Sequence, residues 1–107
     1  MQAVTQQTAR TAAQLAGARA ECRRLERSLA EVRARLPELE EAKRLAVAQR
    51  AFKDAARTAA AVKEADAAIA HGSAELESTR AHADELALRL ERLSDEHARL
   101  QARLASD

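Results

Sequence analysis

Tryptophan and tyrosine are absent from this chain of 107 residues, and Phe52 is its only aromatic side chain. Aromatic rings supply much of the buried area of a globular core, so their scarcity argues against a globular α/β or β domain. Two glycines and one proline leave few sites for tight turns. A lone cysteine, Cys22, rules out an internal disulfide framework and points mildly to a reducing compartment. No apolar run approaches the ~20 residues that would span a bilayer. The start, Met1-Gln2-Ala3-Val4, lacks the charged-then-hydrophobic layout of a signal peptide. Cytoplasmic placement is the expectation, with cytoskeletal or nuclear placement as alternatives.

What is abundant is helix-forming. Apolar residues make up 47% of the chain, mostly alanine, and charged residues 33%. Alanine, leucine, arginine, glutamate and glutamine dominate every third of it. The net charge is only +1, yet it is unevenly spread: residues 1–36 carry +4, residues 37–72 are balanced, and residues 73–107 carry −3. Such a gradient favours the first third lying beside the last, in the same chain or a neighbour, although each exposed ion pair contributes little.

Hydrophobic spacing gives the fold class, which is all-α. A heptad stripe runs Leu76, Thr79, Ala83, Leu86, Leu90, Leu93, His97, Leu100, Leu104 in alternating steps of three and four. A second runs backwards from Ile69 through Ala65, Val62, Ala59, Ala55, Phe52, Ala48 and Leu45. Between them lies Gly72-Ser73, a helix stop followed by a favoured N-cap, with Glu75 and Glu77 in the first turn beyond it. A chain reversal at Gly72 would oppose Ile69 to Leu76, Phe52 to Leu93 and Leu45 to Leu100, with every pair's residue numbers sharing one sum. An antiparallel hairpin of 38–70 with 73–107 is therefore expected. Its core would be Leu45, Phe52, Val62, Ile69, Leu76, Leu86, Leu90, Leu93 and Leu100.

The first third has its own seam, Leu15, Ala18, Cys22, Leu25, Leu29, Val32, Leu36, Leu39, extended N-terminally by Val4, Thr8 and Thr11. Pro37 is the second punctuation mark, because proline disfavours helix at Leu36 and supplies no amide hydrogen. The Glu38, Glu40 and Glu41 that follow suit the first turn of a new helix. Leu39 to Leu45 also departs from a heptad step. Three segments follow, 1–36, 38–70 and 73–107, with the N-terminal helix running from about residue 3. They would form either a three-helix coiled-coil bundle or an extended, kinked coiled coil in which the first seam (Leu15, Leu25, Leu29, Val32) meets another chain. The 107 residues are expected to be one module, a segment of a longer protein.

Three helices in this length resemble a spectrin-type repeat. Separately, Phe52-Lys53-Asp54-Ala55-Ala56-Arg57 is similar to the Phe-x-x-Ala-Ala core of the UVR-type hairpin of bacterial excision-repair proteins, over about residues 39–63. Both resemblances imply contact between proteins and neither implies chemistry.

Candidate sites are few. His71, His82, His97 and Cys22 include no helical i,i+3 or i,i+4 ligand pair, so no metal or cofactor is expected. His97 falls in a core slot, where a polar residue tunes register. The carboxylate pairs Glu40/Glu41, Glu75/Glu77 and Asp84/Glu85 belong to solvated faces, with nothing to shift them for acid–base work. There is no phosphate loop, serine elbow or triad. A non-enzymatic structural module is expected, mediating protein–protein interaction, scaffolding or oligomerisation. Its partners would be another protein or a second copy, with no small-molecule substrate and no membrane span. The alternative is an adaptor that docks an anionic partner through Arg19, Arg23, Arg24 and Arg27. Glu21, Glu26 and Glu31 interleave with those arginines and no aromatic ring is there to stack bases, which disfavours nucleic acid.

Overall fold

The computed structural model describes residues 2–106, and among them it is all helix. Helix α1 (Gln2–Ala48) and helix α2 (Phe52–Ser106) pack against each other, joined by residues 49–51. The chain divides into two compact units: Met1–Cys22 with Ser78–Asp107, and Arg23–Glu77, which contains the connection.

In the first unit the seam is short-sided and alanine-rich. Leu15 and Ala18 of α1 form one buried cluster with Ala83 and Leu86 of α2, flanked by Ala87 and Leu90. Thr11 and Cys22 are buried beside them, one heptad step away on either side. Leu86, at 3% exposure, is the most deeply covered of these. Burying a leucine side chain in this way stabilises by about 1.5–3 kcal/mol, so the cluster outweighs the weak polar contacts around it.

In the second unit Leu25, Leu29 and Ala46 of α1 and Leu76 of α2 are buried. Val32, Leu36 and Leu39, with Ala55, Val62, Ala65, Ile69 and Gly72, are half-buried. The register is fixed by one close approach: a Cβ placed on Gly72 would lie 2.9 Å from Leu29 Cδ2 and 3.3 Å from Leu29 Cγ. Antiparallel counting from that contact sets Val32 against Ile69, Leu36 against Ala65, Leu39 against Val62 and Ala46 against Ala55. Arg33 Nη2 donates to Ser73 Oγ across the pair at 3.3 Å.

The connection is a helix C-terminal motif without its usual residue. Ala51 N–H donates to the Ala46 carbonyl (2.9 Å) and Arg50 N–H to the Val47 carbonyl (3.1 Å), the two bonds of a Schellman ending. The position between them must be left-handed, and Arg50 takes it with φ 57°. Ala51 caps α2 with its carbonyl alone, accepting from Ala55 N–H at 2.8 Å, and Asp54 supplies the first-turn negative charge.

This architecture corrects the three-segment expectation. The chain does not reverse at Gly72: α2 runs through it and no glycine has positive φ. The reason is phase. Ile69, Gly72 and Leu76 are themselves steps of three and four, so the two stripes are one stripe and a turn there would cut it. The pairing of Phe52 with Leu93 and of Leu45 with Leu100 is lost with that turn. Nor does Pro37 end a helix, since α1 continues to Ala48. Pro37 lies on the exposed face, where the Arg33 carbonyl it leaves without an amide partner can meet water. Ala46 stands one full heptad beyond Leu39, so the seam keeps phase through the proline. No separate N-terminal helix remains, and the bundle of three is replaced by a hairpin of two.

Two local-rule violations give direct tests. Pro37→Ala should stabilise the hairpin by up to about 3 kcal/mol, and Arg50→Gly by about 1 kcal/mol, both read as a raised denaturation midpoint. The glycines should behave oppositely to each other. Gly17 has nothing within 4 Å of an added Cβ, so Gly17→Ala should gain close to the full ~1 kcal/mol of helix propensity. Gly72→Ala should fall short of that gain or reverse it, because Leu29 must repack. Equal stabilisation by the two would refute the Leu29–Gly72 register.

Candidate functional site

Because the buried seam is one side-chain layer between two helices, chemistry-bearing residues must be sought on the faces. The structure merges the two sets of apolar residues that the sequence assigned to separate seams. Leu15 of the first seam shares a cluster with Leu86, and Leu29 meets Gly72. Leu25 is buried and Val32 half-buried. Of the expected hairpin core, Leu76 and Leu86 are buried, while Val62, Ile69, Leu90, Leu93 and Leu100 are half-buried. Leu45 and Phe52 instead stand in solvent, at 44% and 73% exposure, because the turn falls between them. Thr11, at the expected N-terminal extension of the first seam, is buried, and Gly72 and Ala46 also belong to the seam although neither is a large apolar residue. Heptad phase was the signal that could have found them.

Arg19, Arg23, Arg24 and Arg27 are all exposed on α1. Arg19 belongs to the first unit and the other three to the second. Arg23 and Arg27 are one helical turn apart and, among the described residues, have no acidic partner. Arg24 lies at the edge of a shallow depression with Ser28, His71 and Glu75. The only near approach of a histidine to a carboxylate described there is His71 Nε2 to Glu75 Oε2, at 3.9 Å.

A larger, mostly apolar depression lies elsewhere in the second unit. Val32 and Leu39 of α1 and Ala61, Ala65 and Ala68 of α2 line an open groove of about 520 Å³. Arg35, Glu38 and Glu64 form its charged edges. Alanines on α2 leave the floor accessible, and the spacing of 61, 65 and 68 matches helical steps of four and three. Such a trough accepts apolar side chains at i, i+3, i+4 from a further helix.

One exposed ion pair shifts the titration of both its members. Arg44 Nε and Nη2 donate to the two oxygens of Glu41 at 3.0 and 2.6 Å. These hydrogen bonds hold the Glu41 carboxyl below its usual value, opposed by slight desolvation and assisted by the Arg44 charge. The same bonds, with the Glu41 charge, raise Arg44. Since the folded carboxyl is the stronger acid, its contribution is present above the ordinary carboxylate range and lost as pH falls through the lowered value. Both side chains are more than half exposed, so the contribution is small. Glu41→Gln should lower the melting temperature slightly at neutral pH, and the difference should vanish in strong acid.

Among the described residues, no group of three His, Cys, Asp or Glu side chains gathers to hold a metal ion. His97 is half-buried in the α2 stripe and His82 is exposed. No helix among those residues is long and apolar enough to cross a membrane. No family model, curated protein or solved structure matches the chain, so the spectrin-type and UVR-type resemblances assign it to no family.

Proposed function

We propose that this chain is a non-enzymatic helical-hairpin module that mediates protein–protein contact, as a scaffold or through self-association. The observation that carries the reading is the apolar trough of Val32, Leu39, Ala61, Ala65 and Ala68. Two helices alone leave that strip uncovered, and a third helix from a partner or a second copy would remove it from water. The charged edge at Arg35, Glu38 and Glu64 would then set register and partner choice.

Sedimentation equilibrium tests self-association. A concentration-dependent dimer is expected, weakened about tenfold or more by Ala61→Glu with Ala68→Glu, with helicity unchanged, because a lone carboxylate in the contact has no partner. Association that ignores these substitutions places the contact elsewhere and overturns the reading.

A second reading, an adaptor for an anionic partner, is favoured by the exposure and lack of acidic partners at Arg23 and Arg27. Reversing both charges should then abolish capture on an acidic matrix, with a steep salt dependence in the unaltered chain and no change in melting.

A further inference from the structure

The described residues expose five large apolar side chains, and three of them, Leu45, Val47 and Phe52, crowd the ends of the helices beside residues 49–51. Val47 is 55% exposed and Phe52, the only aromatic ring of the chain, 73%. The same stretch is cationic. Between Glu41 and Asp54 the sequence places Lys43, Arg44, Arg50 and Lys53 and no acidic residue, in a chain whose remainder has 14 basic and 17 acidic residues. Arg44 is engaged by Glu41, but Lys43, Arg50 and Lys53 have no acidic partner among the described residues. Arg50 is also the left-handed residue of the connection, so a cationic side chain springs from the point where the chain turns.

An exposed aromatic ring within a cationic stretch has a definite complement: an anionic surface with an apolar interior. A stable protein interface needs about 800 Å² from each partner, more than the few exposed side chains beside this turn present. A lipid surface requires no matching concavity. Phe52 and Val47 can enter among the head groups while the lysine and arginine stems run along the apolar boundary and hold their charges at the phosphates. We propose that the connection between the helices, through Phe52, Val47, Lys43, Arg50 and Lys53, docks the hairpin on anionic lipid surfaces.

The test uses the full chain with phosphatidylserine–phosphatidylcholine vesicles and with phosphatidylcholine vesicles alone. Co-sedimentation is expected with the first and not with the second, and it should fall as salt rises. Lys43→Glu with Lys53→Glu should weaken it about 25-fold or more, roughly fivefold for each cation lost from the surface. Phe52→Ser should weaken it several-fold at unchanged helicity. Phe52→Trp places a single tryptophan in a chain that has none, and its emission should shift to the blue on vesicle addition. Ala61→Glu with Ala68→Glu should leave vesicle binding intact, which separates this surface from the apolar trough. The proposal is overturned if anionic vesicles do not bind, or if the tryptophan emission stays fixed while they do. It is equally overturned if binding survives reversal at Lys43 and Lys53 but is lost on reversal at Arg23 and Arg27. Capture on polyglutamate without capture on vesicles would mark an acidic protein surface as the occupant and exclude the lipid.

Discussion

Each helix carries one stripe of side chains, stepped by three and four, that has to leave water, and the position of the turn decides whether both stripes can do so together. A turn at residues 49–51 brings Leu29 down on Gly72 and gathers Leu15 and Ala18 with Ala83 and Leu86. Everything locally unfavourable follows from keeping that phase. Pro37 is retained inside α1, Gly72 inside α2, and Arg50 is bent into the left-handed region, each at about 1–3 kcal/mol. Several buried leucines at about 1.5–3 kcal/mol each outweigh them.

Much of each seam was legible in the sequence, although Leu45, Ala48 and Phe52 of the middle stripe stand exposed. The α1 stripe from Leu15 to Leu39 and the α2 stripe from Leu76 to Leu100 are the ones the structure buries or half-buries. The fold class followed from the same spacing. What misled was punctuation. Gly72-Ser73 carries the chemistry of a helix stop and start, and Pro37-Glu38 that of a helix start, yet both lie inside helices. The real turn reads Ala48-Gln49-Arg50-Ala51 and contains no glycine, proline, asparagine, aspartate or serine. Capping preferences are worth about 1 kcal/mol, too little to compete with a seam, so a turn can form where no local residue asks for it. The mirror symmetry about Gly72 arose because any two heptad stripes of opposite direction pair with a constant sum. Periodicity reports which face is buried and not which residues meet.

The surface features were harder to read for a related reason. Phe52 looked like core because it sits at a heptad distance from Ala59, and only the location of the turn converts it into an exposed ring. The groove of Val32, Leu39, Ala61, Ala65 and Ala68 depends on the register between helices, which single-helix patterns do not contain. The arginines of α1 were identifiable from spacing alone, since exposure on the face opposite a leucine seam follows from the helix itself.

The left-handed Arg50 is the point at which the facing residues of the hairpin are tied to a single chain. Facing residues are equidistant from residues 49–51, so each pair is defined by separation from the turn and not by which chain supplies it. Were those residues to join α1 and α2 into one continuous helix, two such chains lying antiparallel would regenerate the same facing pairs, Leu29 against Gly72 among them. The straightened form relieves the backbone at Arg50 and loses the advantage of tethering. In such an arrangement, protein concentration and the residue at position 50 would together set the balance between the folded-back chain and an antiparallel pair built from the same seam.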